Sequence, residues 1–128
     1  MYKKVLFGLI GLALLSIVLV ACTIKDTATM SSGPVVKMGS SNFIDTTITL
    51  KKGETINLVA TTSAPHVIAN GIWDGSTAKP ATETGAPKVN NLNFAGNDSK
   101  SIGPFTTAGT FKLYCTIHPG MNLVVTVV

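Results

Sequence analysis

Apolar and polar side chains alternate along Thr110-Phe111-Lys112-Leu113-Tyr114-Cys115. In an extended segment this puts Phe111, Leu113 and Cys115 on one face and Lys112 and Tyr114 on the other. Short runs of the same β-rich character recur at Val35–Met38, Phe43–Leu50, Thr55–Ala60, His66–Ala69, Ser99–Phe105 and Asn122–Val128. Gly, Pro, Asn and Asp bound them, as at Lys51-Lys52-Gly53-Glu54, Ala108-Gly109 and Pro119-Gly120. Leu123–Val128 is apolar on both faces, which suits a strand with neighbours on either side. The interval Asn70–Asp98, rich in Gly, Ala, Thr, Asn and Pro, predicts no regular element, and Gly96-Asn97-Asp98 within it reads as a turn. From Val35 onward no helical period of useful length occurs. About seven short strands predict an all-β fold, an antiparallel sandwich.

The N-terminus has another pattern. Lys3 and Lys4 precede an uncharged apolar run from Val5 to Ala21, and small residues lead into Cys22. A basic start, an apolar middle and small residues before a break describe an export signal over residues 1–21. Leu19-Val20-Ala21-Cys22 resembles the lipobox of bacterial lipoproteins, in which Cys22 becomes the lipid-modified first residue. An uncleaved anchor helix is the alternative, since the run is at the short limit for a span. Either reading tethers the domain to the extracytoplasmic face of the membrane, with the two lysines inside. Residues 22–34, polar and small, predict a flexible linker, and residues 35–128 the domain.

Charge narrows the partners. The chain has a formal net charge of +4, all of its positive charge on lysines. Removing Lys3 and Lys4 with the leader leaves a mild excess and no basic run, which argues against nucleic acid. Cys115 is the one cysteine of residues 35–128, so no disulfide forms within the domain. A solitary thiol in an oxidising compartment is a liability unless something occupies it.

Metal ligation supplies that occupant. Cys115-Thr116-Ile117-His118-Pro119-Gly120-Met121 sets a thiolate, an imidazole and a thioether at three-residue intervals on one loop. The other of the chain's 2 histidines, His66, lies far upstream behind Pro65. Two His, one Cys and a distant Met are the donor set of a mononuclear electron-transfer copper site. Thiolate and thioether suit Cu(I), and imidazole suits both oxidation states. His118, on the loop, is expected near the surface, ringed by Pro65, Ile117, Pro119 and Gly120 as an apolar docking patch. Trp73 is expected either in that patch or in the core.

Leu113-Tyr114-Cys115-Thr116-Ile117-His118-Pro119-Gly120-Met121 resembles the ligand loop of the cupredoxins, in the short spacing of the amicyanin group. Ala64-Pro65-His66-Val67-Ile68 is similar to the family's upstream Pro-His segment. The resemblance implies a Greek-key β-sandwich of seven to eight strands. It implies one type 1 copper held by His66, Cys115 and His118 with Met121 axial. It further implies transfer of single electrons between larger redox proteins, a donor and an acceptor. One position departs from the family: Val67 stands where an Asn commonly ties the upstream strand to the cysteine loop, so a looser site or a shifted potential is expected.

Other classes fit less well. With both histidines taken, no Ser/His/Asp arrangement remains, so an enzyme and a small-molecule substrate are not expected. A copper store or delivery protein would use the same ligands without redox turnover. A metal-free Ig-like interaction module would leave the motif unexplained. The chain is expected to be monomeric.

Overall fold

The computed structural model describes residues 32–128. The expectations for the leader, for lipid on Cys22 and for most of the linker lie outside the described residues. Nine strands form among those described. They are β1 (Ser32–Met38), β2 (Thr47–Leu50), β3 (Thr55–Ala60), β4 (His66–Asp74), β5 (Thr77–Pro80), β6 (Leu92–Phe94), β7 (Ser99–Ile102), β8 (Gly109–Cys115) and β9 (Asn122–Val127). One sheet has the order β1-β3-β7; the other has β2-β9-β8-β4-β5, with β6 also paired to β4. β1 on β3 and β2 on β9 are parallel, and the remaining pairs are antiparallel. The all-β sandwich expected from the sequence is the fold observed.

The core lies between the two sheets. Val36, Met38, Ile56, Leu58 and Ile102 face it from one side, and Ile68, Phe111, Leu113, Leu123 and Val125 from the other. Phe43, Phe94 and Phe105 fill the space around them. The alternation in β8 is realised: Phe111, Leu113 and Cys115 are at most 2% exposed. The doubly apolar β9 sits between β2 and β8, where both of its edges are paired.

The structure differs from the periodicity in four places. The run Phe43–Leu50 is a strand only from Thr47. Gly39 N–H donates to Asn42 O at 2.8 Å and Ile44 N–H to Lys37 O at 2.8 Å, so Phe43 closes a turn after β1 while its ring still enters the core. β1 begins at Ser32, ahead of Val35. β7 stops at Ile102, where Gly103 takes φ 130° and Pro104 has no N–H to pair. The interval Asn70–Asp98 is the largest difference, because it contains the end of β4, all of β5 and β6, and the expected turn at Asn97, which takes φ 60°. β4 and β5 form a hairpin across Asp74-Gly75-Ser76-Thr77, with Gly75 at φ 59°. Asp-Gly is a strong hairpin signal, here embedded in a stretch of otherwise loop-like composition.

That hairpin covers the outer face of the second sheet. Tyr114 lies on the face opposite Cys115, as alternation requires, yet is only 3% exposed. The Trp73 ring meets it edge-on, with centroids 5.9 Å apart and planes at 83°. Gly71, at φ 133°, makes the close approach possible, since a Cβ there would lie 2.8 Å from Tyr114 Cε1 and 2.5 Å from Lys79 O. Asn70, 6% exposed, pins the segment that follows: it accepts from Val89 N–H at 2.6 Å and donates to Pro87 O at 3.1 Å.

Two glycine substitutions test this arrangement. Gly71→Ala meets both a disallowed φ and backbone atoms, and should cost about 2–3 kcal/mol. Gly75→Ala, whose Cβ would meet nothing within 4 Å, should cost only the left-handed strain of about 1–2 kcal/mol. Urea unfolding of the two variants compares them directly; equal losses would mean that the hairpin does not press on Tyr114.

Candidate metal centre

The centre begins with strand register. Ile68 pairs with Cys115 across β4 and β8, and His66 pairs with Phe94 across β4 and β6. His66 and Ile68 therefore point into the sandwich from the same face as Cys115. Beyond Cys115 the chain reverses at once: Met121 N–H donates to His118 O at 3.1 Å, and Cys115 N–H to Met121 O at 3.0 Å. This closed loop swings His118 back over the strand ends. The two imidazole centroids lie 5.0 Å apart with planes at 60°.

Three donors converge as a result. Cys115 Sγ is 3.9 Å from His66 Nδ1 and 3.4 Å from His118 Nδ1. All three donor atoms lie within 4.8 Å of one another. Metal–sulfur and metal–imidazole bonds of about 2.3 and 2.0 Å set donors around a trigonal ion roughly 3.7 Å apart. The observed separations bracket that value. Met121, 2% exposed, ends the same loop, its backbone tied to both Cys115 and His118.

Protonation favours ligation. Cys115 is a free thiol, fully buried. His66 is fully buried as well, and burial pushes its pKa below the ordinary imidazole value of 6.5. The neighbouring His118 adds to that effect. The Gly39 backbone acts the other way and more weakly, and His66 Nε2 is buried without a hydrogen-bond partner. The imidazole is thus held neutral, with Nδ1 turned to the thiol.

At Val67 the structure keeps a backbone connection to the cysteine loop. Val67 N–H donates to Cys115 Sγ at 3.4 Å, and Thr116 N–H donates to Val67 O at 2.8 Å. The tie between upstream strand and cysteine loop is made by backbone, so the side chain at 67 does not enter it. Around the half-buried His118, Pro65, Ile117, Pro119 and Gly120 are all exposed, Ile117 by 46%. Trp73 is not part of the core: it lies on the outer face of the sheet, half-buried against Tyr114.

Residues 31–128 match the family of copper binding proteins described as the plastocyanin/azurin family. The chain belongs to that family. It is similar to chloroplastic plastocyanin of Chlamydomonas reinhardtii, with 29% identity over 86 residues. That match takes in 67% of this chain and 57% of the plastocyanin, so the chain spans little more than half the length of that relative. Its fold is similar to amicyanin from Paracoccus versutus, with a TM-score of 0.56 and 22% identity over 80% of this chain and 86% of the other. A reduced amicyanin variant superposes equally well, with a TM-score of 0.56 and 21% identity over 75% and 82% of the two chains. The donor chemistry of this cupredoxin fits one type 1 copper: a buried thiol, two facing imidazole nitrogens and a buried thioether on the same loop.

The lowered His66 pKa fixes a pH dependence for the metal-free protein. On acidification the unfolded chain takes up the proton first. The stability held by the neutral imidazole is therefore complete above pH 6.5 and lost as pH falls through the lower folded value. Urea midpoints of the metal-free protein should fall from about pH 7 to about pH 5; a flat profile would show that His66 is not desolvated.

Proposed function

We propose that this chain is a type 1 copper protein that carries single electrons between larger redox proteins while tethered to the outer face of the cell membrane. The observation that carries the reading is the convergence of His66 Nδ1, Cys115 Sγ and His118 Nδ1 at distances that suit one small ion. In this reading those three residues, together with Met121, would hold the ion. Bound copper supplies a reversible one-electron couple.

The chain's own residues do the rest. Cys115 and Met121 offer soft sulfur donors, His66 and His118 borderline nitrogen donors, so neither oxidation state is strongly preferred. Backbone bonds hold the loop at both ends, from Cys115 N–H to Met121 O and from Thr116 N–H to Val67 O. A frame of this kind resists the rearrangement that would slow electron transfer, and it also resists the ligand exchange that a delivery protein needs. The exposed Pro65, Ile117, Pro119 and Gly120 surround His118 with an apolar surface for brief contact with a donor or acceptor. Tethering follows from the leader: Lys3-Lys4, the apolar run and Leu19-Val20-Ala21-Cys22 support lipid on Cys22 or an N-terminal anchor. A site with its donors spent on one ion has none left for substrate, so the protein is proposed as a carrier and not an enzyme.

The test is to add Cu(II) to the purified protein and record its visible spectrum. An intense blue thiolate-to-copper band that is absent from Cys115→Ser is expected. Colourless Cu(I) binding with rapid loss to a chelator would replace this reading with storage or delivery. Met121→Leu should keep the blue band and raise the reduction potential, because loss of a weak donor destabilises Cu(II). An unchanged potential in voltammetry would mean that Met121 only packs the loop.

A further inference from the structure

Trp73 and Asn122 are unexplained by ligand chemistry or core packing, yet their hydrogen bonds converge on the ligand loop. The Trp73 indole Nε1–H donates to Cys115 O at 2.7 Å. Trp73 N–H donates to Asn122 Oδ1 at 2.7 Å, and Asn122 Nδ2–H donates back to Trp73 O at 3.0 Å. Asn122 directly follows Met121, and Cys115 opens the loop. One tryptophan is thus bonded to both ends of the segment that carries three of the four proposed ligands.

The position of the bond gives it a role. Cys115 N–H is taken by Met121 O, and the Cys115 carbonyl lies where the β8–β9 ladder gives way to the loop. The indole N–H serves as the partner of that carbonyl. It reaches there because β4 bends at Gly71 and lays its end, with β5, over Tyr114. The arm is held from below by the edge-on Trp73–Tyr114 contact and from the side by Asn122.

We propose that Trp73, clamped by Asn122, is a positioning residue for the copper centre: its indole N–H fixes the Cys115 peptide and with it the direction of the thiolate. The proposal rests on the type 1 copper reading above. Outer-shell hydrogen bonds of this kind orient ligands and tune the metal they hold. The positive end of the indole dipole beside Cys115 also favours the less positive, reduced form of the centre, so its removal should lower the potential.

Trp73→Phe tests this, since it keeps an aromatic ring beside Tyr114 and deletes the indole N–H donor, and Asn122→Ala, which leaves the indole in place, separates loss of the bond from loss of ring volume. Expected are a protein that is still blue, a thiolate-to-copper band at altered energy, a lower potential, and about tenfold faster loss of Cu(I) to a chelator. A wild-type spectrum and potential would overturn the proposal. Should Trp73→Phe fail to fold, Asn122→Ala decides by the same readouts: a shift in the same direction supports the brace, and no shift overturns it. In the metal-free wild type, hydrogen exchange of the indole N–H by NMR should be slow; exchange at the rate of an exposed indole overturns the brace whatever the metal does. A wild type that takes up no copper removes the centre that the brace serves and defeats both readings, whereas a blue wild type with an unaltered Trp73→Phe defeats this one alone.

Discussion

Register between β4 and β8 is the constraint on which the rest of the molecule depends. Ile68 stands opposite Cys115, Val67 N–H meets the sulfur, and Thr116 N–H meets Val67 O. Side chains in a strand alternate with period two, so a slip of one residue would turn His66 out of the sandwich while Cys115 stayed in. The convergence of the donors would then be lost, although most strand hydrogen bonds could re-form. Burial guards against that slip, because it would also bring Ile68 to the surface, a residue now fully buried.

Two kinds of restraint reach the metal centre. From within, the core residues Phe111 and Leu113 lock the face of β8 that carries Cys115. From without, the β4–β5 hairpin covers Tyr114 and brings an indole N–H to the Cys115 carbonyl. The first restraint determines which way the sulfur points. The second acts on the peptide that leads into the loop. A third connection is made by backbone alone, from Val67 N–H to Cys115 Sγ and from Thr116 N–H to Val67 O, and the side chain at position 67 takes no part in it.

The surface around His118 has a different character from the buried ligands. His66, Cys115 and Met121 are at most 2% exposed, whereas Ile117 is 46% exposed. For the proposed carrier, electron exchange would need one point of close approach and otherwise exclusion of water, and this division of exposure suits both.

The sequence by itself determined the donor set, the inward face of β8 and the sandwich class. Cys115, His118 and Met121 are close in the chain and chemically scarce in it, and alternation along a strand is a local property. His66 was legible for the same reason of scarcity. The strands within Asn70–Asp98, the burial of Tyr114, the roles of Trp73 and Asn122, and the backbone tie at Val67 were decided only by tertiary structure. Each depends on where a peptide group or an aromatic edge arrives after the chain has folded back on itself. A backbone N–H is the same at almost every position, so nothing in residue type marks the few that will meet a sulfur or a ligand's carbonyl.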